Sequence, residues 1–168
     1  SHMISDLTLR KALDMAVATE QVGARFYQRM AEKFSNTEKL AGIFNQLAKD
    51  EQVHEKQFKE IAEQVPKEED NRPDDQRMHY LRAAASSEFF EEGAFEDLGK
   101  IRTETDALGM AFRFEKDTLF FYFAVKDSLG QQNEALDKII EAEKDHVSTL
   151  MKVITTDAKF RSLQDKWH

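Results

Sequence analysis

Apolar residues recur every three to four positions along four long stretches, the period of a helix with one buried face. Leu9, Leu13, Ala16, Tyr27, Met30 and Phe34 form the first stripe, with Glu20 set in its middle, and predict a helix over 7–34. The second stripe is Leu40, Ile43, Phe44, Leu47, Phe58 and Ile61, interrupted by Glu51 and His54. Ser35, three residues before Glu38, reads as a capping box that starts this helix, and Pro66 ends it. So short a link makes the two helices antiparallel neighbours. A third helix starts near Thr103 or Thr105 and carries Leu108, Ala111, Phe112, Leu119, Tyr122 and Leu129 around Glu115. Gly130 supplies its left-handed stop. The fourth covers 133–156, with Leu136, Ile139, Ile140, Val147, Leu150 and Ile154 around Glu143 and His146.

The connection between the halves is long. A charged loop over 67–76 contains Pro73, and 77–101 then carries Met78, Leu81, Ala84, Ala85, Phe89, Phe90, Phe95 and Leu98, broken by Gly93 and Gly99. A plain up-down bundle needs no such segment. Its apolar content predicts crossover packing on the bundle, a subunit interface, or both. Phe112, Phe114, Phe120, Phe121 and Phe123 run partly around the third helix and read as core plus interface. The halves also repeat: Leu13, Met15, Ala16, Glu20, Phe26 and Tyr27 align without gaps onto Leu108, Met110, Ala111, Glu115, Phe121 and Tyr122. The predicted class is all-α, a four-helix bundle of approximate two-fold symmetry with a long crossover containing extra short helical segments.

Composition narrows the chemistry. The chain has 168 residues, enough for one domain with a real core. Ser1-His2-Met3 reads as a cloning remnant, leaving a single domain over 4–168. With no cysteine there is no disulfide, no iron–sulfur ligation and no thiolate metal site. No apolar run reaches the length of a membrane span and no signal pattern follows the start, so a cytoplasmic location without membrane partners is expected. The net charge of -8, with both signs interspersed, argues against nucleic acid, which requires a basic face. His79 and His168 have no partner pattern and read as surface residues, and the tail with Trp167 carries no signal.

Each half contains Glu-x6-Tyr followed by Glu-x-x-His: Glu20 with Tyr27, then Glu51 with His54; and Glu115 with Tyr122, then Glu143 with His146. A Glu and a His three residues apart share a helix face, and all six ligand-type residues interrupt apolar stripes. They are predicted to converge at one level of the bundle. Four carboxylates buried together without cations would cost several kcal/mol each. Two divalent ions cancel four carboxylates with both histidines neutral, and two trivalent ions sharing one dianion give the same total. Oxygen and imidazole donors suit iron or manganese, and zinc enters such sites by affinity.

Paired in this way, the motifs resemble the ferritin-like di-iron carboxylate superfamily, and within it the rubrerythrin branch, especially erythrin-type domains. The resemblance spans Leu9 to Ile154. It implies two Fe ions per chain, with Glu20 and Glu115 as terminal ligands, Glu51 and Glu143 as bridges and one imidazole each from His54 and His146. Tyr27 and Tyr122 would stand behind the ligands. It further implies oxidation of ferrous iron and reduction of peroxide or dioxygen, in iron handling and oxidative-stress defence. Iron storage or delivery, and a scaffold merely held together by metal, are the alternatives. Two departures stand out. No cysteine means no rubredoxin domain, so electrons must come from a separate donor or from ferrous iron itself. Thr118 occupies the place of an additional glutamate that rubrerythrins carry one turn after the third-helix ligand. The symmetry breaks once more before the bridges, where Asp50 precedes Glu51 but Ala142 precedes Glu143. By the resemblance, Asp50 would accept from His146. A homodimer is expected, built on 77–101.

Overall fold

The computed structural model describes residues 7–65, 75–91, 93–96 and 98–165, the side chains of 75 and 157–165 excepted. Pro66, Pro73 and most of the expected charged loop lie outside the described residues, as do Trp167 and His168. Helices α1 (Leu9–Lys33) and α2 (Glu38–Gln64) form one antiparallel pair. After the connection come α3 (Asp75–Ala85) and short 3-10 turns at Glu88–Phe90 and Leu98–Lys100. The second pair is α4 (Glu104–Leu129) and α5 (Glu134–Asp165). Among the described residues there is no strand.

Local signals explain most boundaries. Thr8 accepts from Lys11 N at 3.2 Å and starts α1. Thr103 and Asp106 form a reciprocal capping box at α4, Gly130 ends that helix at φ 68°, and Asn133 caps α5 through Leu136 N at 3.0 Å. Val65 closes α2 in an extended conformation, which the residue before a proline favours.

Two boundaries differ from the pattern. The Ser35 capping box does not form, because turns through Ser35 and Thr37 still bond back to Glu32 and Phe34. Thr37 becomes the N-cap instead, with its hydroxyl donated to Glu104 rather than to its own helix. Helix α5 runs past 156 to Asp165, since its apolar stripe fades but no Gly or Pro breaks it.

The crossover packs on its own chain. Met78, Leu81, Ala84 and Ala85 of α3 are buried in one core cluster with Phe121, Val125 and Leu136. The Phe95 ring lies tilted 4.7 Å from Phe26 and edge-on 5.2 Å from Phe114, and Phe89 lies 5.8 Å from Phe114. These belong to a second cluster with Tyr27 and Phe44. The phenylalanine run of α4 divides between core and surface. Phe114 and Phe121 are fully buried, whereas Phe120 and Phe123 are exposed. His79 is exposed too.

Candidate metal centre

Glu20, Glu51, Glu115 and Glu143 are fully buried between the two apolar clusters, with His54 and His146 beside them at 5% and 6% exposure. Each of the four long helices delivers one carboxylate from mid-span, and α2 and α5 each add an imidazole one turn later. The six residues that the sequence singles out therefore meet in one layer.

Two overlapping donor groups result. Glu20, Glu51, His54 and Glu143 offer one ligand atom each, all within 4.8 Å of one another, and so do Glu51, Glu115, Glu143 and His146. Glu51 and Glu143 belong to both. Glu20 Oε2, Glu115 Oε2 and both Glu51 oxygens are buried with no hydrogen-bond partner. Buried polar atoms are ordinarily paired, so this set of orphaned oxygens fits cations of the O/N-preferring kind.

Protonation follows from the crowding. Burial pushes Glu20 and Glu115 up to about 8, and the Glu143 charge adds to the rise in both. Burial also acts to raise Glu143, but hydrogen bonds from Glu115, His146 and His54 outweigh it and hold that carboxyl low. His54 Nδ1 lies 3.0 Å from Glu143 Oε1, and His146 Nδ1 lies 3.3 Å from Glu143 Oε2. Burial opposes the charge on both rings, yet contacts with Glu143 and Glu20 push His54 up to about 10, and those with Asp50 and Glu115 raise His146.

Tyr27 donates to Glu115 Oε1 at 2.7 Å, and Tyr122 donates to Glu20 Oε1 at 2.6 Å, so each tyrosine serves the other half's carboxylate. Burial and the adjacent carboxylates raise both phenols, which keeps them as donors. Asp50 Oδ2 lies 2.9 Å from His146 Nε2, and Gln46 donates to Asp50 Oδ1 at 2.9 Å. Asp50 is held below its ordinary range chiefly by His146.

The motifs give no hint of Gly23. A Cβ there would lie 3.0 Å from the Phe114 ring and 3.2 Å from Glu51 Oε2. Its one sequence signal is its place as the repeat counterpart of Thr118.

A family model described as Rubrerythrin matches residues 11–103, more than half of the chain and including Glu20, Glu51 and His54. The chain belongs to the rubrerythrin family. The crystal structure described as a ferritin-like diiron-carboxylate protein from Thermotoga maritima superposes with a TM-score of 0.66, covering 89% of this chain and 95% of that one at 24% identity. It supports the bundle fold. No curated protein matches the chain.

The charge state carries a prediction. The raised carboxyls of Glu20 and Glu115 and the raised imidazoles of His54 and His146 all favour the protonated form, and ligands must shed protons to bind metal. Loading should therefore release protons, and affinity should rise with pH through about 8, where the two raised carboxyls ionise, and on toward about 10, where His54 sheds its proton. Calorimetry of ferrous binding in buffers of different ionisation heat measures this directly. A buffer-independent heat at pH 7 would contradict it.

Proposed function

We propose that this chain holds two Fe ions and acts as a di-iron oxidoreductase. It would oxidise ferrous iron and reduce peroxide or dioxygen, in cytoplasmic iron handling and oxidative-stress defence. The observation that supports this best is the pair of donor groups sharing Glu51 and Glu143, with four carboxylate oxygens left unpartnered in the same layer. A bound ferrous pair supplies two electrons to an O–O bond. The protein's part is positioning. Glu51 and Glu143 would span the pair, Glu20 with His54 and Glu115 with His146 would hold its two ends, and manganese or zinc could enter the same donors. Tyr27 and Tyr122 fix one oxygen of each terminal carboxylate and leave the other free. The apolar clusters on either side keep bulk water out, which strengthens every charge interaction within.

Electrons beyond those of ferrous iron would come from a separate donor. The assembly is proposed as a homodimer. Since Phe89 and Phe95 are buried within their own chain, the contact would use exposed Tyr80, Phe120 and Phe123, with Tyr80 and Phe120 rings 5.5 Å apart. Light scattering showing a large shell would favour storage.

Anaerobic iron loading followed by stopped-flow mixing with peroxide, and separately with dioxygen, tests the reading. Rapid oxidation of the ferrous pair is expected, becoming catalytic when a reductant is supplied, with iron content held at two per chain. Iron accumulating well beyond the site would establish storage or delivery. No oxidation and no accumulation would leave only a metal-stabilised scaffold.

A further inference from the structure

Helix α1 has two faces in use. Glu20 and Tyr27 reach into the carboxylate layer, while Ala18, Val22, Arg25 and Arg29 lie about half a turn away, on the face turned out of the bundle. The crossover passes over that outer face without closing on it. Between the two lies a cavity of about 910 Å³, partly open to solvent, within the range of pockets that hold small ligands. Phe26, Phe89, Phe90 and Phe95 line it, and its wall is mostly apolar. Rings are what four phenylalanines receive best, edge-on or offset. Arg25 and Arg29, one helical turn apart and exposed, also line it, and a guanidinium pair suits a phosphate or carboxylate. Asp14, Glu91 and Glu96 share the lining. Asp14 stands three turns from Arg25 along α1, so an anionic group is directed to the arginines.

The cavity also connects to the carboxylate layer through side chains. Phe95 and Phe90, both on its wall, each touch one of the two repeat-related Phe-Tyr pairs. Phe95 lies 4.7 Å from Phe26, whose ring is 5.3 Å from Tyr27, the donor to Glu115. Phe90 lies 5.2 Å from Phe121, whose ring is 6.0 Å from Tyr122, the donor to Glu20. Two files of rings therefore lead from the cavity to the two carboxylates of α1 and α4. Electron tunnelling weakens steeply with the width of the gap, and rings in contact leave little gap. A second copy of the chain would need a broad complementary surface, whereas a recess walled by rings has the shape for a planar small molecule.

We propose that the cavity between α1 and the crossover binds a planar aromatic anion that delivers electrons to the metal pair, of the reduced flavin mononucleotide kind. Its ring system would lie among the four phenylalanines and its phosphate would face Arg25 and Arg29. On delivery the reduced flavin loses two electrons and two protons. The electrons take two ferric ions to ferrous, and the protons leave to solvent at the open mouth. The delivery step rests on the metal-pair reading above, and the binding step does not.

Flavin mononucleotide titrated into metal-free protein, followed by loss of its fluorescence, tests the binding step. Saturable binding is expected, with riboflavin, which lacks the phosphate, about tenfold or more weaker. Arg25→Glu combined with Arg29→Glu should weaken flavin mononucleotide at least as much and leave riboflavin nearly unchanged. Ala18→Trp, at an exposed position on the cavity wall, should fill the space and block both. Delivery is measured by mixing diferric protein anaerobically with reduced flavin mononucleotide, two ferrous ions being expected for each flavin oxidised. At equal iron content, Ala18→Trp should slow this by the same factor as it weakens binding. No saturable binding to wild type, or equal binding to wild type and Ala18→Trp, overturns the site. Decanoate displacing the flavin at equal concentration overturns it too, since the groove would then take apolar chains. A dimer that Ala18→Trp dissociates, with no flavin bound, assigns the face to a second copy and likewise overturns it. Equal reduction rates in wild type and Ala18→Trp overturn the delivery step. A wild type that never reaches two irons overturns the metal-pair reading, while the metal-free titration still decides the cavity.

Discussion

Glu143→Ala is expected to take the chain from two metal ions to at most one, and Glu51→Ala to do the same. Each residue belongs to both donor groups, so either substitution would remove a donor from both halves of the proposed pair at once. Glu143 has the larger effect, because its two oxygens also face His54 at 3.0 Å and His146 at 3.3 Å. Without it the rings lose the shared acceptor that orients their Nδ1 atoms into the layer. Charge works in the same direction, since three carboxylates do not cancel two divalent ions. Glu143→Gln keeps the volume and one acceptor but not the charge, and should also fail to hold the pair. Tyr27→Phe is the contrast. It removes a donor to Glu115 Oε1 and no ligand, so two ions should remain, with the Glu115 side weakened about 10–100-fold. Iron analysis after anaerobic loading and desalting measures all four. Two ions retained in both Glu51→Ala and Glu143→Ala would mean that the layer is not a shared site.

The parts of this arrangement that were legible in the sequence are those that helical periodicity encodes. A glutamate inside an apolar stripe must face inward, and four of them at matching places in two repeats must meet. The Gly130 stop was equally readable, because it acts on its own neighbours in the chain, and of the two starts left open, Thr103 and Thr105, the structure selects Thr103 as the cap. What periodicity cannot encode is the body that covers a buried face. Phe89 and Phe95 were compatible with a partner subunit or with this chain, and only the tertiary path puts them against Phe26 and Phe114. The Ser35 box had the right residues at the right spacing, yet competing turns from α1 and the contact of Thr37 with Glu104 displaced it. The need for Gly23 was hidden for a related reason. A missing side chain has meaning only once Phe114 and Glu51 of the neighbouring helices are in place.

Asp50→Ala is expected to weaken metal binding on the His146 side by about 10–100-fold and to leave the His54 side nearly unchanged. The first ligand sets of the two halves match, so the difference must come from what stands behind them. His146 presents Nδ1 to Glu143 and Glu115, and its Nε2 is 2.9 Å from Asp50 Oδ2. With metal bound, that contact would fix the tautomer, Nε2 keeping its proton for Asp50 while Nδ1, the nitrogen inside the carboxylate layer, binds the metal. Asp50 is itself held by Gln46 one turn earlier, so the acceptor is already aimed. It is about one-third exposed, at 34% of its side-chain surface, so solvent screening tempers the charge while the hydrogen bond keeps its orienting role. His54 presents Nδ1 to Glu143 and Glu20 in the same way. Behind it, however, the repeat places Ala142, which has no side-chain acceptor. Wild-type protein should therefore take up ferrous iron in two resolved steps, the tighter one on the His146 side. Asp50→Ala should merge them, and Asp50→Asn, which keeps an acceptor without the charge, should fall between. Ala142→Asp is the converse variant and should tighten the looser step if its carboxylate reaches His54. Anaerobic titration of the four proteins gives the step affinities. A single unresolved step in wild type, or an Asp50→Ala curve that superposes on it, would show that Asp50 does not distinguish the two ends.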